Sequence, residues 1–118
     1  MEPRINVANN KVFVNELTLE FEYNIRKTIV WEDKVFVLLS IPTGIELGLN
    51  EINNLFSISL DAIVLWRVDN STNGKINDFP FEGITMTKNN ELRAFDFYGR
   101  NYLVNMDNGK ISDLKIFR

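Results

Sequence analysis

The one run whose residue types and spacing imitate a chemical motif is "DNSTNGKINDFP", Asp69 to Pro80. Oxygen-bearing Asp69, Ser71 and Asn73 stand at positions 1, 3 and 5 of a calcium loop, with Gly74 at 6 and Ile76 at 8. In such loops alternate side chains converge on one ion and the glycine permits the sharp turn. Position 12 is Pro80 where a bidentate glutamate is required, and Glu82 comes two residues late. The run therefore reads as a polar hairpin loop, and no metal is expected. Paired carboxylates for acid–base work would have to come from Asp61, Asp69, Asp96 and Asp107. Each stands at a strand end or turn, where aspartate is favoured for local hydrogen bonding. No spacing among them shows the facing pair that glycoside hydrolysis needs.

The 118 residues include no histidine and no cysteine. This removes the commonest base near neutral pH, the thiolate nucleophile, and every cysteine-ligated metal or disulfide. No phosphate loop, dinucleotide fingerprint or nucleophile elbow occurs. The expectation is a chain that is not an enzyme and takes no cofactor. A net charge of −3 argues against a nucleic-acid surface, which needs clustered Lys and Arg, and points to a basic partner if the partner is charged. The opening "MEPRINVANN" lacks a basic segment followed by an apolar one, and no apolar run is long enough to span a bilayer. A cytoplasmic protein with no membrane partner is expected.

The elements that must position any site are strands. Short apolar segments rich in β-branched and aromatic residues are bounded by Asn, Asp or Gly throughout, the pattern of strands and turns. "LTLEF" (Leu17 to Phe21) alternates, as a half-buried antiparallel strand does. "IRKTIVW" follows, then "KVFVLLS", whose continuous apolarity predicts a strand covered on both faces. Further strands are predicted at "NLFSIS", "IVLWRV", "FEGITM", "ELRAFDF", "RNYLVN" and "ISDLKIF". Their short links force neighbours to be antiparallel and adjacent. Tyr98-Gly99 and Asn108-Gly109 read as turn devices, because tight hairpin turns demand positive φ. "TGIELGLNEINN" is too rich in Gly and Asn to hold more than one helical turn. The fold class is all-β: a single domain over 1–118, an antiparallel meander of about nine to ten strands in two packed or propeller-blade-like sheets.

In a meander alternate connections lie at the same end. The long links Pro42 to Asn53 and Asp69 to Pro80 therefore share a rim with the turn from Asp96 to Arg100, and loops gathered on a rigid scaffold are where binding resides. That rim carries Glu46, Glu51, Asp69, Asp78, Glu82 and Asp96 against Arg67, Lys75 and Arg100, with Phe79 and Phe81 expected to be exposed. Acidic residues around aromatic anchors suit a protein–protein contact. The expected partner-binding set is Glu46, Glu51, Asp69, Asp78, Phe79, Phe81 and Glu82.

The second half resembles the repeats of quinoprotein-type β-propeller blades. A strand with a docking tryptophan (Trp66) is followed by Leu92, Ala94, Phe95 and Asp96 on a strand and by Gly109-Lys110 in a turn. A closed ring needs more blades than this chain can supply. The whole layout is similar to a small family of bacterial all-β proteins with members among toxin-immunity proteins. It rests on Leu19, Phe21, Tyr23 and Ile25; on Val35, Val37, Leu38 and Leu39; on Asn54, Leu55, Phe56 and Ile58; and on Leu65, Trp66 and Arg67, with a closing Gly-Arg…Gly-Lys-Ile. The resemblance implies a protein that neutralises a cognate toxin by binding it, and transfers no site. The alternatives are a scaffold module that self-assembles through a sheet edge, and a small-ligand or calcium-binding domain. A homodimer is compatible with either reading.

Overall fold

The computed structural model describes residues 3–69, 71–72, 75–76 and 79–113. Near the N-terminus, Ile5–Ala8 (β1) and Lys11–Val14 (β2) pair antiparallel around Asn9-Asn10, with Asn9 at φ 56°. Leu17–Glu20 (β3) returns after Asn15, also at φ 56°. Asparagine tolerates this left-handed conformation better than other non-glycine residues, which lets two-residue turns close here without glycine.

The middle of the chain forms a second sheet in simple meander order. It comprises Ile25–Trp31 (β4), Lys34–Leu39 (β5), Leu55–Ser59 (β6) and Val64–Arg67 (β7). Between β5 and β6 lies a single helical turn, Leu49–Ile52 (α1), the only helix among the described residues. A two-residue ribbon, Ser71–Thr72 (β8) with Lys75–Ile76 (β9), precedes the third sheet. That sheet is another four-stranded meander: Phe81–Met86 (β10), Leu92–Asp96 (β11), Asn101–Val104 (β12) and Ile111–Asp113 (β13). All pairings within the three larger sheets are antiparallel.

The all-β meander stands as the sequence predicts, with three sheets where two were expected. The reason lies in β5. Val35, Val37 and Leu39 enter one core with Val12, Val14, Phe21, Phe56 and Ile58. Phe36 and Leu38 enter the other with Leu55, Trp66, Phe81, Ile84, Leu92 and Tyr102. A strand apolar on both sides needs a cover on each, and β1 to β3 supply the second. Burying each such side chain contributes about 1.5–3 kcal/mol, so both covers are strongly favoured. The four-stranded sheets have the strand order of propeller blades, but the described strands stack openly and close no ring.

Two polar or backbone features fix how the middle and third sheets meet. Asn54 is fully buried and its amide bridges them: Nδ2 donates to Leu39 O and to Phe81 O, and Oδ1 accepts from Phe81 N, all at 2.9 Å. Trp66 donates from Nε1 to Met106 O (2.8 Å), and its ring covers Gly109. Gly109 sits at φ +76°, and a Cβ there would lie 2.5 Å from Trp66 Cε3. Gly109→Ala should destabilise the fold by about 1–3 kcal/mol through overpacking and left-handed strain. Urea unfolding would measure it. Gly99→Ala, at the same φ but with open space around it, isolates the strain alone and should cost less.

Candidate functional site

The turn between β11 and β12 is built on one buried carboxylate. Asp96 Oδ1 accepts from the backbone N–H of Tyr98 (3.0 Å) and of Arg100 (3.1 Å), and Oδ2 accepts from Arg100 Nε at 2.6 Å. Its side chain is 0% exposed. Gly99 donates its N–H to Asp96 O and takes φ 76°, as the sequence requires of it. Every polar group of Asp96 thus serves to hold the loop in one shape. The loop presents Phe97 at 76% and Tyr98 at 64% exposure. Their rings meet edge to face at 5.5 Å, and Tyr98 meets Phe79 in the same way at 5.1 Å. The Arg100 guanidinium lies 5.8 Å from the ring centres of both Phe79 and Tyr98, within cation–π range.

The β5–β6 connection is held differently. Glu51 reaches back to accept from Gly48 N (2.7 Å) while its second oxygen accepts from Tyr23 OH (2.8 Å). Arg67, over the Phe56 ring at 4.7 Å, donates from Nε to Asn53 O (2.7 Å) and from its guanidinium to Asn50 O. These latches leave Ile45, Leu47 and Leu49 exposed, with Glu46 among them.

Hydrogen bonds from the Gly48 backbone, then from Tyr23, hold the Glu51 carboxyl below the usual carboxylate range. The bond to Glu51 holds the Tyr23 phenol above the ordinary tyrosine value. A lowered carboxylate pKa contributes stability that is present above the unfolded value and is lost as pH falls through the folded one. A raised phenol works in the opposite sense, its contribution fading as pH rises from the unfolded toward the folded value. The latch should therefore be unchanged across neutral pH, opening on the acid side only below roughly pH 4 and on the alkaline side above roughly pH 10. NMR titration of the Gly48 amide and the Tyr23 ring would follow both transitions. Glu51→Gln should abolish the first and lower the Tyr23 phenol by removing the carboxylate charge beside it, with burial and Glu22 still holding it above the ordinary value.

Asn54 closes the β5–β6 connection and touches Phe81, which pairs with Asp96. Through Asn54 and Phe81 the end of the β5–β6 connection is thus tied to the strand that pairs with Asp96 at the foot of the aromatic turn. The individual residues divide. Glu46 is exposed, and Glu51 is spent on the latch. Phe79 packs half-buried against Tyr98 and Arg100. Glu82 faces Arg26 at 4.0 Å. Asp69 is placed against another turn, its N–H donating to Gly109 O (3.1 Å) and its strand bridging Lys110. Asp78 lies outside the described residues, as do Asn73 and Gly74 of the calcium-like run.

Phe81 corrects the expectation of exposure: it is wholly buried and packs edge to face on Tyr102 at 5.7 Å. A bulge between Phe81 and Gly83 breaks the strict alternation, so Phe81 and Ile84 both turn inward. Neither Phe97 nor Tyr98 stands in the expected partner-binding set, because the sequence places Phe97 in the strand "ELRAFDF", which ends one residue earlier at Asp96, and Tyr98 in a turn. A signal did exist. Adjacent aromatics inside an Asp-x-x-Gly-Arg turn have no core to face.

Fold and rim together define an all-β sheet stack that displays fixed aromatic side chains at one end. The chain belongs to the family described as a domain of unknown function, DUF7957, which it matches over residues 2–116. Neither a curated protein nor a solved structure matches it. No helix among the described residues is long and apolar enough to cross a membrane.

Proposed function

We propose that this chain is a non-catalytic protein-binding domain of the immunity type, which neutralises a cognate basic toxin in the cytoplasm by direct binding at the rim. The observation that carries the reading is the pair Phe97 and Tyr98, held out in solvent on a turn that the buried Asp96 fixes. Water-exposed aromatics are unfavourable in the free protein, and a rigid aromatic anchor loses little entropy on binding. The sequence resemblance and the absence of histidine and cysteine support the same reading.

The test is co-expression with the proteins encoded beside it. One of them should arrest growth alone, and this chain should relieve the arrest, less effectively as Phe97→Ala. If no neighbouring product is toxic, or if the chain gives no relief, the reading fails. A scaffold reading draws on one observation, the exposed run Ile63, Val64 and Leu65 that leads into the edge strand β7. Light scattering across a concentration series decides it: assembly abolished by Leu65→Lys would favour the scaffold, and a monomer throughout would remove it.

A further inference from the structure

The rim's acids are not equivalent, and their pairing specifies the partner's chemistry. Asp96 is buried against Arg100, Glu82 faces Arg26, and Glu51 is satisfied by Gly48 and Tyr23 with Arg67 nearby. Glu46 forms no hydrogen bond or ion pair among the described residues. It stands in solvent between two exposed apolar side chains, Ile45 and Leu47. Of the sequence-expected acids described at this end, three are internally compensated and one is left.

We propose that the rim binds a protein face made of an apolar pocket bordered by one lysine or arginine, with Phe97 and Tyr98 entering the pocket and Glu46 meeting the cation. This rests on the protein-binding reading above and narrows it. Attraction comes from the Glu46 charge beside apolar surface, while the aromatic anchors hold the complex. An uncompensated carboxylate flanked by Ile45 and Leu47 would be desolvated by any partner covering those side chains. A buried charge is tolerated only when paired, so the covering surface must bring a cation. The arginines of the rim cannot serve, since Arg26, Arg67 and Arg100 already face acids or backbone carbonyls.

The test needs no knowledge of the natural partner. Short disulfide-closed peptides displayed on phage are selected against the immobilised full chain, and the enriched peptides are synthesised. They should combine aromatic or aliphatic residues with at least one Lys or Arg. They should lose about tenfold or more in affinity for Phe97→Ala and for Glu46→Lys, and none for Asp61→Asn, an exposed acid in the distant β6–β7 turn. Circular dichroism of each variant confirms that the fold is kept. Selected peptides lacking basic residues, binding that survives both substitutions, or failure to enrich any peptide would overturn the proposal. Self-association lost with Phe97→Ala would also overturn it, by giving the surface to a second copy. Because the probe is a peptide, failure of the toxin reading in co-expression and failure of this surface assignment are separate results.

Discussion

Replacing Asn54 with leucine should lower the stability of the fold by on the order of 3 kcal/mol or more, although leucine nearly matches asparagine in shape and is more apolar. The site is completely buried, so the transfer of an added apolar group taken alone favours leucine. That transfer does not decide the outcome, because the amide serves others: Phe81 N–H, Phe81 C=O and Leu39 C=O each lose a partner at 2.9 Å inside a fully buried site. An orphaned buried backbone group costs about 1–3 kcal/mol, and three such groups outweigh the transfer gain of one side chain. Asn54→Asp should be worse, because it retains the acceptor for Phe81 N–H and sets a carboxylate against two carbonyl oxygens. Urea unfolding of both variants gives the numbers. An unfolding free energy for Asn54→Leu within about 1 kcal/mol of the parent would show that the sheets are held by apolar packing alone.

That amide also marks the limit of what the sequence makes legible. Strand existence was readable almost everywhere from Leu17 to Ile111, because hydrophobic alternation and turn residues are local signals. β5 was readable even as doubly covered, since "VFVLL" offers no polar face. The sheet that supplies the second cover was missed: β1 and β2 turn on Asn9 and Asn10 without a glycine and are only four residues each. Phe81 was misassigned because a bulge is a property of pairing, invisible in one strand alone. Charge was the least legible quantity. Counting acids gives an acidic rim, but pairing is decided by tertiary neighbours such as Arg26 for Glu82, far apart in sequence. Asp96 looked like one rim acid among six and is instead the buried support of the turn that displays the aromatics.

Asp96 therefore carries the largest expected effect on binding, without touching a partner. In Asp96→Ala the N–H groups of Tyr98 and Arg100 and the Arg100 guanidinium all lose the Asp96 carboxylate. Stability should fall by about 2–3 kcal/mol, since hydrogen bonds to a charged group are individually worth about 1.5–3 kcal/mol and the guanidinium, partly exposed, recovers water. The consequence at the rim differs in kind. With the turn released, Phe97 and Tyr98 sample many orientations and only a fraction of molecules present the bound one, so affinity falls by that fraction. Asp96→Asn separates the two roles. One amide oxygen can still accept from both backbone N–H groups, but an Nδ2 donor now faces Arg100 Nε, and the guanidinium swings away from the Phe79 and Tyr98 rings. The turn should persist while the aromatic cluster loosens, placing Asp96→Asn between the parent and Asp96→Ala in affinity for the selected peptides. NMR order parameters at residues 96–100 should rank the three proteins in the same sequence. If Asp96→Ala loosens the turn and the peptides still bind at full strength, the aromatic tip is not the contact and the rim must act through Ile45, Leu47 and Leu49 instead.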